Sequence, residues 1–241
     1  MAGLGKVYLI GAGPGAADLI TVRGARLLAQ ADVVLYDALV TPEMLALCAR
    51  AEKISVGKRS GQRSTAQTLI NEQLVDCARR YQVVVRLKGG DPMLFGRADE
   101  ELRALEEAGI EVDIVPGITT AVAAAAATKQ PLTKRGVARS VAFFTSSTAP
   151  DEPEHAALPA TDTMVQYMGG REAAATAERL LALGRRPGLP VVVIENCSRP
   201  DQRILRLTLA DLAHGLGTAS GPVLVMIGEA LQRRTHQAPD A

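Results

Sequence analysis

The sequence predicts an α/β fold with mainly parallel sheets, divided into two domains. Short runs of β-branched and other apolar residues alternate with longer helical segments along the chain, and strands separated by helices of this length form βαβ units. With 241 residues, the chain is long enough for two domains that each bury a core. A polar stretch after Pro131 ends the first series of strands and helices.

In the first half of the chain, five strand-like runs alternate with helical segments. The runs are KVYLIG, DVVLYD, KISVG, VVVRLKGG and VDIVPG, at 6–11, 32–37, 53–57, 83–90 and 112–117. The helical segments lie at 18–31, 41–50, 64–81, 98–109 and 118–128. In the third of these segments, Leu69, Leu74 and Cys77 fall near one face, which predicts the buried side of a helix.

A second series of elements follows the polar stretch TKRGVAR, which predicts a hinge. We therefore expect an N-terminal domain at 1–136 and a C-terminal domain at 137–241. Strand-like or helical runs begin at 139, 163, 171, 190, 203 and 221. The proline-containing, acidic stretch 148–160 predicts a surface loop, and the tail from Gln232 onward is expected to be disordered.

Composition and charge narrow the class of protein. The net charge is +1 and aromatic residues make up 3% of the chain, which argues against nucleic acid as a partner. The longest apolar run is far shorter than a membrane span. The three cysteines have no metal-type spacing, and the N-terminus has no signal-peptide pattern. We therefore expect a soluble cytoplasmic protein with no membrane partner and no metal site.

A glycine-rich turn, GAGPG, joins the first strand to the next helix. Glycine permits positive φ and a close approach of the backbone to a ligand. The free N–H groups at the start of the following helix suit pyrophosphate, although Pro14 removes one donor. This motif alone fits a structural turn and a nucleotide site equally well, including a nicotinamide site with Asp37 as its acidic residue.

Two further glycine-containing turns, RLKGGDP at 86–92 and VPGITTA at 115–121, also follow strands. Because the carboxyl ends of parallel strands meet at one edge of a sheet, we expect the three turns to converge. Their convergence favours a binding site over three separate structural turns.

Nine motifs then occur in order between about Val7 and Leu231: GAGPG, VVLYDALV, VGKR, INEQL, RLKGGDP, FGR, VPGIT, PLTKRG and YMGG. With them the chain resembles the tetrapyrrole methylases, and within that family the uroporphyrinogen-III C-methyltransferases. The resemblance implies a homodimer of chains with an active site in the cleft between two α/β domains. The implied reaction is C-methylation of uroporphyrinogen III at C2 and C7 to precorrin-2, for sirohaem or cobalamin biosynthesis. Its methyl donor is S-adenosylmethionine, and S-adenosylhomocysteine is the by-product.

The resemblance also implies which residues contact the cofactor. They are Pro14, Gly89, Gly90, Asp91, Leu94, Thr119 and Thr120 in the first domain, and Met168 and Cys197 in the second. Apolar side chains such as Leu94 and Met168 suit the adenine and the methionine stem, and the Asp91 carboxylate suits the cationic side of the cofactor. On residue type alone, core packing is the commoner role for Met168, and Cys197 also fits an inert buried thiol.

For catalysis, the resemblance implies Asp37 as the base and Lys58 as the proton donor or charge stabiliser. The carboxylates of the tetrapyrrole substrate require cationic partners. Candidates in or beside the motif turns are Arg23, Arg59, Arg63, Arg97, Lys134 and Arg135. From the residues alone, a turn or cap carboxylate is the commoner role for Asp37, and a solvated surface charge is the commoner role for each cation.

Some positions depart from the family pattern, namely Ala98-Asp99, Ser146-Ser147 and Cys197. The alternatives are a sister methylase acting on a later precorrin, an RNA ribose or a diphthine intermediate; a nicotinamide-binding oxidoreductase; and a module that binds S-adenosylmethionine without methyl transfer. An oxidoreductase leaves GGDP and PGITT unexplained. A Ser-His-Asp hydrolase is disfavoured because the sequence has no Gly-x-Ser-x-Gly elbow.

Overall fold

The computed structural model describes residues 3–56, 64–147 and 157–233. The chain divides into two compact units, Met1–Thr120 and Ala121–Ala241. Across the described ranges, no helix is both long and apolar enough to cross a membrane.

The first unit contains, within its described residues, a five-stranded parallel sheet. Strands β1 to β5 span Lys6–Gly11, Val33–Tyr36, Glu52–Ser55, Val83–Lys88 and Val112–Val115. Helices α1 to α4 span Val22–Gln30, Pro42–Leu45, Ser64–Arg80 and Ala98–Glu107. The strand order is β3-β2-β4-β1-β5, and the strand pairings in it are parallel. The predicted α/β alternation with a parallel sheet is confirmed in this unit.

Apolar residues cover both faces of this sheet, because successive side chains of a strand point to opposite faces. Leu9 of β1 packs with Leu74 of α3 and Leu105 of α4. The next residue, Ile10, packs with Leu28 of α1. These side chains are fully buried, and burying one of this size contributes about 1.5–3 kcal/mol. The parallel sheet is thus held between two helical layers.

The second unit contains a sheet of a different kind. Strands β6 to β10 span Val141–Thr145, Thr163–Tyr167, Pro190–Glu195, Arg203–Thr208 and Val223–Gly228. Helices α5 to α7 span Thr120–Thr128, Ala173–Ala182 and Leu209–Ala213. The strand order is β6-β7-β10-β8-β9. Among the strands that the structure describes here, β6 and β7 pair parallel, whereas the three other pairings are antiparallel.

The prediction of parallel sheets therefore does not hold for the second unit. Residues 196–202 connect β8 to β9, and a parallel pair requires a crossover of about a dozen residues or more. A connection this short returns the chain antiparallel, without a helix between the strands.

The division between the units also falls earlier than the predicted boundary after residue 136. Helix α5 is bonded to strands of the second sheet: Ala121 N donates to Tyr167 Oη at 3.1 Å, and Arg206 Nη2 donates to Thr128 O at 3.3 Å. After the helix, Gln130 Nε2 donates to Leu231 O at 2.6 Å. These bonds place α5 and the residues after it in the second unit.

Candidate active site

The carboxyl edge of the first sheet contains a topological switch point. Strands β1 and β4 are neighbours, yet α1, which follows β1, and α4, which follows β4, pack on opposite faces of the sheet. At such a switch point, open parallel sheets bind their ligands outside the carboxyl ends of the strands. GAGPG follows β1 and GGDP follows β4, so both motifs lie at this switch point.

The glycine turns converge there, as the sequence predicted. Gly90 N donates to Gly13 O at 2.7 Å, and Gly13 N donates to Gly90 O at 3.1 Å. A Cβ added to Gly117 would lie 2.2 Å from Gly90 O and 2.7 Å from Gly11 Cα. Because a side chain would overlap the neighbouring backbone, only glycine permits this approach. We call Gly11, Gly13, Gly90 and Gly117 the glycine cradle.

Gly90 gives the cradle an open side. Its φ is +68°, in the left-handed region, and a Cβ added to it would meet no described atom within 4 Å. The backbone is therefore accessible at a point that a side chain would otherwise fill, which suits a ligand that lies close to the main chain. Pro14, beside Gly13, is buried.

Asp91 connects the second turn to the third. Its Oδ2 accepts a hydrogen bond from Gly117 N at 2.8 Å, and its Oδ1 accepts one from Met93 N at 2.8 Å. A carboxylate has about four lone-pair sites, so these bonds fix the group and leave acceptor capacity for a ligand. Leu94 N donates to Asp91 O at 3.3 Å, which closes the turn. Leu94, Thr119 and Thr120 are half-buried around this point.

Asp37 lies on the next loop, after β2, and its carboxylate contacts the GGDP turn. Its Oδ1 accepts from Leu39 N at 2.9 Å, and its Oδ2 accepts from Gly89 N at 3.2 Å. The first bond, within the loop after β2, is the turn contact that the sequence analysis gave as the structural role of Asp37. The second joins loops from two neighbouring strands, and it brings the predicted base to the cradle.

A buried ionic network lies beneath the GGDP turn. Glu101, in the first turn of α4, accepts from Arg86 Nε at 3.0 Å and from Lys88 Nζ at 2.7 Å. Glu101 is 0%, Lys88 3% and Arg86 4% exposed. Burial lowers the pKa of Lys88 and the Arg86 charge lowers it further, whereas Glu101 and Asp37 act in the opposite direction. The network therefore supports the turn from inside the fold.

The cations predicted to bind substrate carboxylates belong partly to the first unit, partly to the second, and partly to residues that the structure does not describe. Arg97 is engaged with Glu100, to which it donates at 2.6 and 2.7 Å. Arg23 is exposed on α1, and Lys134 and Arg135 are exposed in the second unit. Lys58, Arg59 and Arg63 lie outside the described residues, as does the end of the predicted tail.

Met168 and Cys197 lie at one end of the second sheet. Strands β7 and β8 run in the same direction because both pair antiparallel with β10, which lies between them. Met168 is 52% exposed with φ of +55°, which excludes core packing, and strain of this kind clusters at functional sites. Cys197 is buried, and burial raises the pKa of its thiol to about 11.

The chain belongs to the family of tetrapyrrole (corrin/porphyrin) methylases, whose pattern matches residues 6–213. It is 49% identical over 229 residues to the siroheme synthase of Tolumonas auensis, a match that covers 93% of this chain and 49% of that protein. The chain thus spans about half the length of the curated relatives it matches. This family membership replaces the dinucleotide interpretation of the glycine turn.

Solved structures of methyltransferases share the fold. The uroporphyrin-III C-methyltransferase from Thermus thermophilus, complexed with S-adenyl homocysteine, matches with a TM-score of 0.80 and 37% identity over 95% of this chain and 94% of that one. A cobalt precorrin-4 methyltransferase matches with a TM-score of 0.78 and 30% identity over 95% of this chain and 96% of that one.

Proposed function

We propose that this chain catalyses the S-adenosylmethionine-dependent C-methylation of uroporphyrinogen III at C2 and C7 to give precorrin-2, for sirohaem or cobalamin biosynthesis. The observation that carries the proposal is the glycine cradle at the switch point, with Asp37 bonded to it through Gly89. The Thermus thermophilus enzyme, which is similar over nearly its whole length, supports both the donor and the substrate.

In this proposal the cradle holds the donor close to the main chain, with Pro14, Asp91, Leu94, Thr119 and Thr120 around it. The Asp91 carboxylate would face the sulfonium charge, and the open side of Gly90 would leave room for the cofactor. Met168 and Cys197 are proposed as further contacts because they match the family motifs. The high thiol pKa suits a packing or backbone contact by Cys197 rather than a nucleophilic role.

When bound, S-adenosylmethionine supplies an electrophilic methyl group on a cationic sulfur. A ring carbon of the macrocycle forms the new C–C bond while the S–CH3 bond breaks, and the electron pair of that bond stays on sulfur. One proton then leaves the methylated macrocycle. We assign Asp37 as its acceptor, because two backbone N–H groups hold the carboxylate at the edge of the cradle. Lys58 is proposed, on the family motif, as the proton donor or charge stabiliser.

Alignment contributes more to this mechanism than proton transfer does. Holding two reactants in the reactive geometry lowers a barrier by about 7–11 kcal/mol. A positioned base contributes about 10²–10⁴-fold in rate, which is about 3–5 kcal/mol. In this mechanism the bonded turns Gly13–Gly90 and Gly117–Asp91, which align the reactants, therefore contribute more than the base does.

A methylase acting on a later precorrin is the second candidate, because the cobalt precorrin-4 methyltransferase shares the fold at nearly the same TM-score. Its lower identity, 30% against 37%, favours uroporphyrinogen III.

The deciding experiment is incubation with methyl-labelled S-adenosylmethionine and uroporphyrinogen III, followed by mass analysis, with a later precorrin as a parallel substrate. We expect uroporphyrinogen III to gain two labelled methyl groups. Methylation of the later precorrin alone would favour the second candidate. Binding of the donor without transfer to either substrate would indicate a non-catalytic binding module.

We also propose, on the family resemblance, that the active form is a cytoplasmic homodimer. Cys48, Cys77 and Cys197 are free and buried, which suits a reducing compartment. Light scattering on the purified protein should give twice the chain mass of 25.4 kDa, and a single-chain mass would contradict the dimer.

A further inference from the structure

Large apolar side chains are exposed on the loops that flank Asp37. Leu39, on the loop after β2, is 47% exposed, whereas Met93 and Phe95, on the loop after β4, are 58% and 43% exposed. We call these side chains the apolar rim. A group of exposed apolar side chains beside a site marks a binding surface, whereas single ones do not.

The two loops of the apolar rim are fixed to each other through the Asp37 carboxylate. One oxygen of that carboxylate accepts from Leu39 N and the other from Gly89 N. The Leu39 side chain packs against Gly89, where an added Cβ would lie 2.8 Å from Leu39 Cβ. On the same loop, Met93 N donates to Asp91 at 2.8 Å. The rim therefore has a set position relative to the proposed base.

Phe95 occupies a backbone conformation that its side chain disfavours. Its φ is +53°, in the left-handed region that bulky residues avoid and that glycine and asparagine tolerate. An exposed aromatic ring at this position adds strain and leaves apolar area in water. Strain of this kind is concentrated where a residue serves a ligand.

The order of the strands indicates which ligand the rim contacts. Along the carboxyl edge the order is β2-β4-β1-β5. The glycine cradle lies on the loops of β4, β1 and β5, whereas Asp37 and Leu39 lie on the β2 loop. A base has to reach the acceptor, so the methyl acceptor lies on the Asp37 side of the cradle, over the rim.

We propose that the apolar rim of Leu39, Met93 and Phe95 contacts the pyrrole rings of the tetrapyrrole and holds the acceptor carbon against the cradle. This inference rests on the proposed function. Pyrrole rings are flat and apolar, and the substrate's carboxylates extend from the periphery of the macrocycle, away from such a contact. Aromatic and methionine side chains suit it because they add contact area without competing hydrogen bonds.

The first test is Phe95→Asn, because its effects on stability and on binding have opposite signs. Asparagine tolerates the left-handed backbone, so we expect resistance to unfolding to be unchanged or increased. Loss of the ring should raise KM for uroporphyrinogen III by about ten-fold or more, while KM for S-adenosylmethionine stays within about two-fold. If Phe95 served only the stability of the fold, the variant would unfold more easily and keep the wild-type KM for uroporphyrinogen III. That result would overturn the inference.

Met93→Ser with Leu4→Ser as its control is the second test. Leu4 is 50% exposed and precedes β1, so it lies at the amino edge of the same sheet. We expect Met93→Ser to raise KM for uroporphyrinogen III and Leu4→Ser to leave it unchanged. Equal effects of the two variants, or equal rises in both KM values, would overturn the inference.

A direct binding measurement separates this inference from the proposed function. Uroporphyrin III, the oxidised and unreactive form of the substrate, is fluorescent and can be titrated with each variant. Weaker binding by Phe95→Asn and Met93→Ser supports the rim even if the wild type transfers no methyl group. Unchanged binding by both variants, with an active wild type, overturns the rim alone. A wild type that neither methylates uroporphyrinogen III nor binds uroporphyrin III contradicts both proposals.

Discussion

At the scale of single residues, Asp37 is both a link between two loops and the proposed base. Its carboxylate accepts one backbone N–H from its own loop and one from the GGDP turn. A substitution that removes the side chain breaks this link together with any catalytic role. Separating the two roles therefore requires a variant of the same shape.

Asp37→Asn should keep donor binding and lose turnover. Asparagine retains one acceptor oxygen and the same volume, but it is neutral and cannot act as a base. We expect a fall of about 10²–10⁴-fold in kcat, with the Kd for S-adenosylhomocysteine within about two-fold of wild type. Calorimetry and a methyl-transfer assay measure the two quantities. Parallel losses of binding and turnover would make Asp37 structural, and an unchanged kcat would remove it from the mechanism.

Glu101 is the second residue on which the site depends, because its carboxylate faces both Arg86 and Lys88 in the buried network. Glu101→Gln leaves two buried cations without that charge, so we expect a loss of about 3–5 kcal/mol in the free energy of unfolding. Urea denaturation measures it. The matched control is Glu100→Gln, whose exposed ion pair with Arg97 is worth at most about 1 kcal/mol. Similar losses in the two variants would show that the network does not support the fold.

The sequence did not reveal this network, because periodicity assigns charged residues to solvent. Arg86 and Lys88 occur in the run VVVRLK, a pattern that predicts a strand with polar residues at its end. Strand β4 is central, and helices cover both faces of its sheet. Burial of these charges therefore follows from the tertiary structure. The acidic partner, Glu101, is one of three consecutive acidic residues, and nothing local distinguishes it from Asp99 and Glu100.

At the scale of elements, the turn after β5 depends on the absence of a side chain at Gly117. An added Cβ would lie 2.2 Å from Gly90 O, so the turns after β4 and β5 would have to separate. We expect Gly117→Ala to lower the free energy of unfolding by about 1–3 kcal/mol. Gly3→Ala is the control, because a Cβ there meets no described atom within 4 Å. Denaturation curves that coincide for the two variants would contradict the close packing of the cradle.

Helix α3 shows how precisely sequence periodicity predicts which side of a helix is buried. Leu74 and Cys77 are buried as predicted, but Leu69 is 44% exposed. Five positions along a helix turn through about 500°, which places Leu69 about 140° from Leu74 around the axis. The apolar residues were enough to predict that a helix forms here. Predicting which face of it is buried also requires the angles between those residues around the helix axis.

The hydrophobic pattern of the sequence did not determine the strand directions in the second sheet. The sequences of buried strands such as β8 and β10 are nearly continuous apolar runs. Such runs are typical of parallel sheets. Here helix α5 contacts the opposite face from α6 and α7, at Tyr167 and Arg206. An antiparallel sheet covered on both faces gives the same sequence pattern.

At the scale of the whole molecule, the rule that parallel strands end at one edge predicted the convergence of the glycine turns. That prediction is confirmed for Gly13, Gly90 and Gly117, which are distant in sequence and in contact in the structure. The division between the units was placed too late, because long-range bonds such as Gln130 to Leu231 decide it and leave no local signal. The roles of the site residues came from the family motifs, and they stay predictions.

The central claim is that the open side of the glycine cradle holds the sulfonium donor. Gly90 and Gly109 are a matched pair for testing it, since both have positive φ, +68° and +67°, and a Cβ on either meets no described atom within 4 Å. Gly109 precedes β5 at the amino edge of the sheet. Asparagine tolerates this backbone conformation at both positions.

The measurement is calorimetric titration of S-adenosylhomocysteine into wild type, Gly90→Asn and Gly109→Asn. A side chain at Gly90 extends into the proposed cofactor position, so affinity should fall by about ten-fold or more, which is about 1.4 kcal/mol. Gly109→Asn should bind as the wild type does. Wild-type affinity in a folded Gly90→Asn variant would contradict the account.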